Sequence, residues 1–263
     1  ADVTGTLNVT GISTLGNDVS IADKIIHTGD TNTAIRFPAA DTITAETSGT
    51  EAIRINNSGQ FLVGVTAART MLSGYTPSLQ VEGTANSDSS VSIVENISAS
   101  SGPSLWFGKT RGNSLGANTV VQSGDELGTI VFNGADGTDV QSMAAFIRSS
   151  VDGTPGSNDM PGRITIHTTA DGAASPTERM RIDSNGNLGL GDDGPTNFTN
   201  YTNLSIHGAS GGAITFGDDG TDEWEIYAGD GALRIYDRAN TTERLRIDSS
   251  GRVGINRTPT QHP

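Results

Sequence analysis

Apolar residues alternate with polar ones in the same way at three places along the chain. Ile53 and Ile55 flank Arg54, Met180 and Ile182 flank Arg181, and Leu245 and Ile247 flank Arg246. Each trio follows a glutamate (Glu51, Glu178, Glu243) and runs into an Asn/Asp/Ser cluster that ends in Gly59, Gly186 or Gly251. The alternation then resumes with Phe61 and Val63, Leu188 and Leu190, Val253 and Ile255. Apolar residues at every second position turn one side of a strand toward a core. The polar cluster closing on glycine is turn chemistry, because glycine accepts the positive φ that reverses the chain. The pattern therefore predicts one β-hairpin used three times, and a chain built as a string of modules.

Other alternating runs fill in the modules. Residues 1–21 place single apolar residues between Gly5, Gly11 and Gly16, which predicts a glycine-punctuated stalk. Module one covers 22–72, with strands at 32–37 and near Ile43, the first ended by Pro38. Module two covers 73–196 and opens at Leu79 and Val81. Module three covers 197–263 and opens likewise at Leu204 and Ile206. Both later modules then carry a strand ending in Phe-Gly, at Phe107-Gly108 and Phe216-Gly217. Alternation there predicts that Phe107 and Phe216 are core, and that Trp106 and Trp224 point the other way. Module two also holds an insertion with runs at 128–132, 143–148 and 162–167, separated by glycine turns. It reads as an antiparallel meander, the best place for a small β-sandwich. Strands at 223–227 and 232–236 enclose Gly229-Asp230-Gly231, and no amphipathic helix longer than about two turns is visible.

Composition changes the picture from a globule to an assembly. Of 263 residues only 33% are apolar and 5% aromatic, while 34 are glycine. A chain so poor in large apolar side chains buries little surface alone, so its thin apolar faces are expected to meet other copies of itself. The net charge of −14 disfavours binding to nucleic acid. Cysteine is absent, so disulfides play no part. No window nears the ~20 apolar residues of a membrane helix. No signal-peptide pattern is visible, and the start at Ala1 fits a processed or internal segment.

The hairpins and the stretch from Asp125 to Gly191 resemble phage tail-fibre and related virion-fibre proteins, especially of cyanophages and other marine phages. Gly134-Ala-Asp-Gly-Thr-Asp139, Val151-Asp-Gly-Thr-Pro-Gly156, Pro161-Gly-Arg163 and Glu178-Arg-Met-Arg-Ile-Asp183 carry the resemblance, and Val3 to Gly11 looks like the stalks of such fibres. The resemblance implies an elongated all-β homotrimer located in the virion and assembled in the host cytoplasm. Its partners would be itself, other tail proteins and a host surface glycan or protein. In that family an autocleaving chaperone domain often follows the closing hairpin. This chain stops at Pro263 without one, so no proteolytic residue is assigned.

Several clusters could carry chemistry. Ser114 and Ser210 sit in G-x-S-x-G, but a nucleophile elbow needs a following helix and none is predicted. Asp222, Glu223 and Glu225 around Trp224 could serve a glycan-cleaving site, the mark of a depolymerising tailspike; an acidic sheet edge explains them as well. Residues 134–139 and 217–222 offer oxygen ligands suited to Ca²⁺, against a plain turn role, so no cofactor is assigned. His27, His167, His207 and His262 lack metal-ligand spacing. Arg54, Arg181 and Arg246 repeat with the hairpin, which favours structural pairing with carboxylates over recognition of an anionic glycan. Trp106, Trp224, Tyr227 and Tyr236 are the receptor-binding candidates, because exposed aromatics stack on sugars and anchor protein contacts. The function expected is multivalent host attachment by a non-enzymatic fibre. The alternatives are the tailspike enzyme and an adaptor or head fibre without receptor binding.

Overall fold

The computed structural model describes residues 10, 11, 16, 19–198, 200–217 and 223–256. The predicted stalk lies mostly outside these residues. The described chain is all-β, without a helix. It divides into two units, Ala1–Pro103 and Ser104–Pro263.

The first unit holds a six-stranded sheet in sequence order: β1 (Lys24–His27), β2 (Asp30–Arg36), β3 (Ile43–Thr47), β4 (Thr50–Ile55), β5 (Phe61–Val63) and β6 (Leu79–Val81). The second unit holds two sheets. One runs from β7 (Glu126–Gly134) through β8 (Ser142–Val151), β9 (Gly162–Thr168), β10 (Thr177–Ile182) and β11 (Leu188–Leu190) to β12 (Leu204–Ile206). The other is five-stranded: β13 (Gly212–Phe216), β14 (Trp224–Gly229), β15 (Ala232–Asp237), β16 (Thr242–Ile247) and β17 (Val253–Ile255). The inserted strands β7 to β9 form no separate layer. They widen the sheet of the second hairpin. Residues 102–107 form no strand, unlike their counterpart β13. Pro103 has no N–H to donate, and no neighbouring strand pairs with this segment.

All pairs are antiparallel except two. β5–β6 and β11–β12 are parallel, so the chain must cross over before it pairs again. Both crossovers pass over the same side of their sheets. Gln80 on β6 accepts from the Arg69 N–H at 2.9 Å and donates to the carbonyls of Arg69 and Pro77. Ser205 on β12 donates to Asp192. The opening strand of each later sequence module thus sits at the edge of the preceding sheet.

Cross-strand register fixes what the opposite side carries. Ile25, Ile35, Ala45, Ile53, Val63 and Val81 stand opposite one another across the whole first sheet. Ile130, Ile147, Ile166, Met180, Leu190 and Ile206 do so across the second. Ile214, Ile226, Ile235, Leu245 and Ile255 do so across the third. Directly opposed residues share a face. Each sheet therefore has an unbroken apolar row on one face, and most of these side chains are exposed or half-exposed. The polar face is the covered one. Leu62 (0% exposed), Thr44 and Gln80 are buried there beneath the first crossover.

Candidate functional site

The repeated hairpin has the same geometry three times. Glu46 pairs with Glu51 and Ala45 with Ile53, so Ala52 is an extra residue, a β-bulge. Arg179 is the extra residue in the second copy and Arg244 in the third. Along a regular strand, residues three apart point to opposite faces. The bulge flips that phase and brings the glutamate and the arginine onto one face. Arg54 then donates to both oxygens of Glu51, at 2.7 and 2.6 Å, and Arg181 to both of Glu178, at 2.7 and 2.9 Å. Arg246 lies 3.3 Å from Glu243, which also takes Arg234 at 3.0 Å. The bond to its glutamate raises each of the Arg54 and Arg181 guanidinium pKa values.

The turn repeats as closely. The carboxylate or amide oxygen of Asn56, Asp183 or Asp248 accepts two backbone N–H groups, two and four residues on. Gly59, Gly186 and Gly251 each donate back across the turn with φ of +75°, +82° and +75°. Six glutamate and arginine positions and three turns are thus consumed in building hairpins, on the covered polar face.

The four aromatic candidates are not brought together. Trp224 pairs in register with Phe216, so both stand on the apolar face beside Ile226 and Ile214. This corrects the opposite-face expectation for that pair. Their separation along the chain contains residues 218–222, so alternation could not be counted through it. Phe216 is 57% exposed and Phe107 53%, so neither is core within the chain. Tyr227 and Tyr236 lie on the other face with ring centroids 6.3 Å apart, edge to face, next to the guanidiniums of Arg234 and Arg238. Arg234 is only 5% exposed there. Trp106 is 87% exposed on an unpaired segment. Beside it, Phe107 lies over Gly128, where an added Cβ would stand 2.7 Å from the Phe107 Cβ. Leu105, Trp106 and Phe107 with Ile130, Ile147 and Ile164 line an apolar cavity of about 360 Å³ on the apolar face of the second sheet.

The candidate chemical clusters resolve into turns and pairs. Asp136 accepts from the N–H groups of Thr138 and Asp139 and from the Ser142 hydroxyl, and these bonds hold its carboxyl below the usual range. Residues 218–222 of the second oxygen-rich loop lie outside the described residues. Glu225 is buried and ion-paired to Arg238 at 2.8 Å, on the face away from Trp224, so it and the indole do not form one acidic groove. Asp222 lies outside the described residues. Among the described residues neither Ser114 nor Ser210 opens a helix, and no cluster of three or more acidic or histidine side chains could hold a metal. His167 stacks on Phe146 with centroids 4.0 Å apart. Burial pushes its pKa down, against the opposing pull of Glu178. Sequence reasoning missed the bulge, whose signal is the glutamate-to-arginine spacing of three, and it missed a polar cavity beside the first turn.

No family model and no curated protein matches the sequence. Among solved structures the chain is similar to the carboxy-terminal domain of the bacteriophage T5 L-shaped tail fibre, with a TM-score of 0.47 and 18% identity, covering 84% of this chain and 99% of that one. It is also similar to the same domain with its intramolecular chaperone domain, with a TM-score of 0.47 and 16% identity, covering 79% of this chain and 68% of that one.

Proposed function

We propose that this chain is a segment of a phage tail fibre that works mechanically, as a homotrimer that holds weak recognition sites away from the particle. One observation carries the reading. All three sheets are covered on the polar face and carry an apolar face across their full width that is bare apart from residues 105–107, which lie against the β7 end of the second sheet. Contiguous exposed apolar surface of this extent is rare on monomers and marks association. Three copies with these faces turned inward would form the narrow shared core that the composition demands. The number three follows from the fibre resemblance of the sequence. A closed assembly also suits an all-β chain with long unpaired edge strands such as β7. Attachment then gains from avidity, since linked weak sites engage at high effective concentration.

The test has two parts. Sedimentation of the intact protein is expected to give a trimer, and labelled protein is expected to bind intact cells of the phage's host. A trimer that binds no cells contradicts attachment and favours a structural adaptor. Release of reducing ends from host polysaccharide contradicts the mechanical reading in favour of a tailspike enzyme.

A further inference from the structure

The first and second hairpins are superimposable in their bonding, yet their turns face different surroundings. In the second, the Ser184 N–H donates to a carboxylate oxygen of Asp152 at 2.9 Å, and the Ser184 hydroxyl donates to the Asp152 carbonyl at 3.0 Å. Arg163 holds the other carboxylate oxygen at 2.8 Å. Burial works against the charge of Asp152, but these bonds outweigh it and keep the carboxyl below its usual range. The second hairpin turn is therefore a carboxylate receptor, filled by its own chain.

In the first hairpin the backbone donor of the turn is present, whereas the hydroxyl, the arginine and the carboxylate are not. Register aligns Thr44 with Thr165 and Arg54 with Arg181, which places Asn57 where Ser184 stands and Thr42 where Arg163 stands. The connection before β3 spans only 37–42, against 152–161 before β9, and its one acidic residue, Asp41, neither bonds to the turn as Asp152 does nor lines the space beside it. Asn57 makes no hydrogen bond to any described residue. Arg54 uses Nε and Nη2 on Glu51, which leaves Nη1 without a described partner. The space that remains is a polar cavity of about 620 Å³ between the turn and the crossover, lined by Thr42, Arg54, Asn57, Gln60, Thr66 and Thr76. No acidic side chain lines it.

We propose that this cavity binds a carboxylate-bearing sugar, a uronic acid unit of an acidic polysaccharide. The Asn57 N–H takes the carboxylate as the Ser184 N–H takes Asp152, and Nη1 of Arg54, whose charge is already paired with Glu51, supplies a second donor. The amide and hydroxyl groups of Gln60, Thr42, Thr66 and Thr76 suit sugar hydroxyls, whereas an extended acidic peptide would find no free strand edge in this lining. The net charge of −14 does not prevent it, because charges farther than about 8 Å are screened at physiological salt. The attachment reading supplies the source of the sugar, and the site itself rests on the comparison of the two turns.

The test is calorimetric titration of the intact protein with a glucuronate oligomer, the same oligomer with its carboxyls reduced, and poly-glutamate. Only the glucuronate oligomer is expected to bind. Asn57→Asp, which puts a repelling carboxylate at the mouth of the cavity, is expected to weaken binding at least tenfold. Asn57→Pro removes the N–H at a turn position that tolerates proline, and Thr66→Glu charges the opposite wall; both are expected to act likewise with an unchanged sheet spectrum. Equal binding of the reduced oligomer, equal binding of poly-glutamate, or undiminished binding by all three variants overturns the proposal. Host-cell binding read in parallel separates the two ideas. Cells bound by a protein that takes up no glucuronate overturn this site and leave attachment standing. Glucuronate bound without cell binding upholds the site and overturns attachment.

Discussion

On the third sheet Arg234 is 5% exposed and Phe216 is 57% exposed, although a soluble monomer would be expected to reverse the two. The same inversion runs through the first sheet, where Thr44 and Gln80 are covered while Ile35 and Ile53 are bare. The polar faces are closed by means internal to the chain: bulge-enabled ion pairs, caps on the turns and, on the first two sheets, crossovers. The apolar faces have no such cover apart from residues 105–107 against the second sheet. The contrast teaches that the ionic and hydrogen-bonded face holds each hairpin in shape, and it leaves the apolar face free for the association proposed above.

The strongest way to break this contrast is to charge the bare face. Ile53→Asp combined with Ile235→Asp should abolish association, a change of at least a hundredfold in the sedimentation equilibrium, because like charges brought together in an interface cost several kcal/mol. Charging an already exposed residue on the polar side, such as Ser58→Asp, should leave the assembly intact.

A second test stays on the polar side. An added Cβ at Gly64 would lie 2.2 Å from the Glu82 carbonyl oxygen, and one at Gly191 would lie 2.2 Å from that of His207, where each parallel strand closes. Both glycines also have positive φ, +75° and +66°. The same position in the third copy is Asn256 at φ +51°, a residue that tolerates the left-handed region. Gly191→Ala should therefore cost about 2–4 kcal/mol, from strain plus overlap. Asn256→Ala should cost about 1 kcal/mol, from strain alone. Thermal unfolding of the two variants measures the difference.

Removing one partner of a repeated ion pair ranks next. Arg181→Met leaves Glu178 half-buried without its bidentate donor and should cost about 1–3 kcal/mol, with part of the loss recovered by adding Glu178→Gln. The smallest effect is an acid one. Arg244, with Asn240, holds the Asp237 carboxyl down to about 2, against about 3.9 in an unfolded chain. Its stabilisation is fully present above the unfolded value and is lost as pH falls toward 2. Asp237→Asn should remove that stabilisation near pH 7 and flatten the profile in the acid window.

Much of this fold was legible in the sequence, because period-two alternation and the Asn/Asp-to-Gly turns are local signals. The strands of the hairpins, the meander at 128–167 and the Asp230-Gly231 turn all follow from them. What was hidden is non-local. Nothing near Leu79 or Leu204 says that these strands pair in parallel with the hairpin before them. Nothing near Asn57 says that its N–H lacks the acceptor that Ser184 has, since that depends on the length of a connection elsewhere in the sheet. The faces of Phe216 and Trp224 were misassigned because alternation fixes relative facing only within one strand, and these residues lie on two.

The account depends most on the bare apolar faces being buried by other copies of the chain. Sedimentation velocity of the intact protein at low micromolar concentration tests this directly. A single species near three times 27.1 kDa is expected, with a sheet spectrum that is lost together with association. A species of 27.1 kDa that keeps its sheet spectrum at that concentration would contradict it.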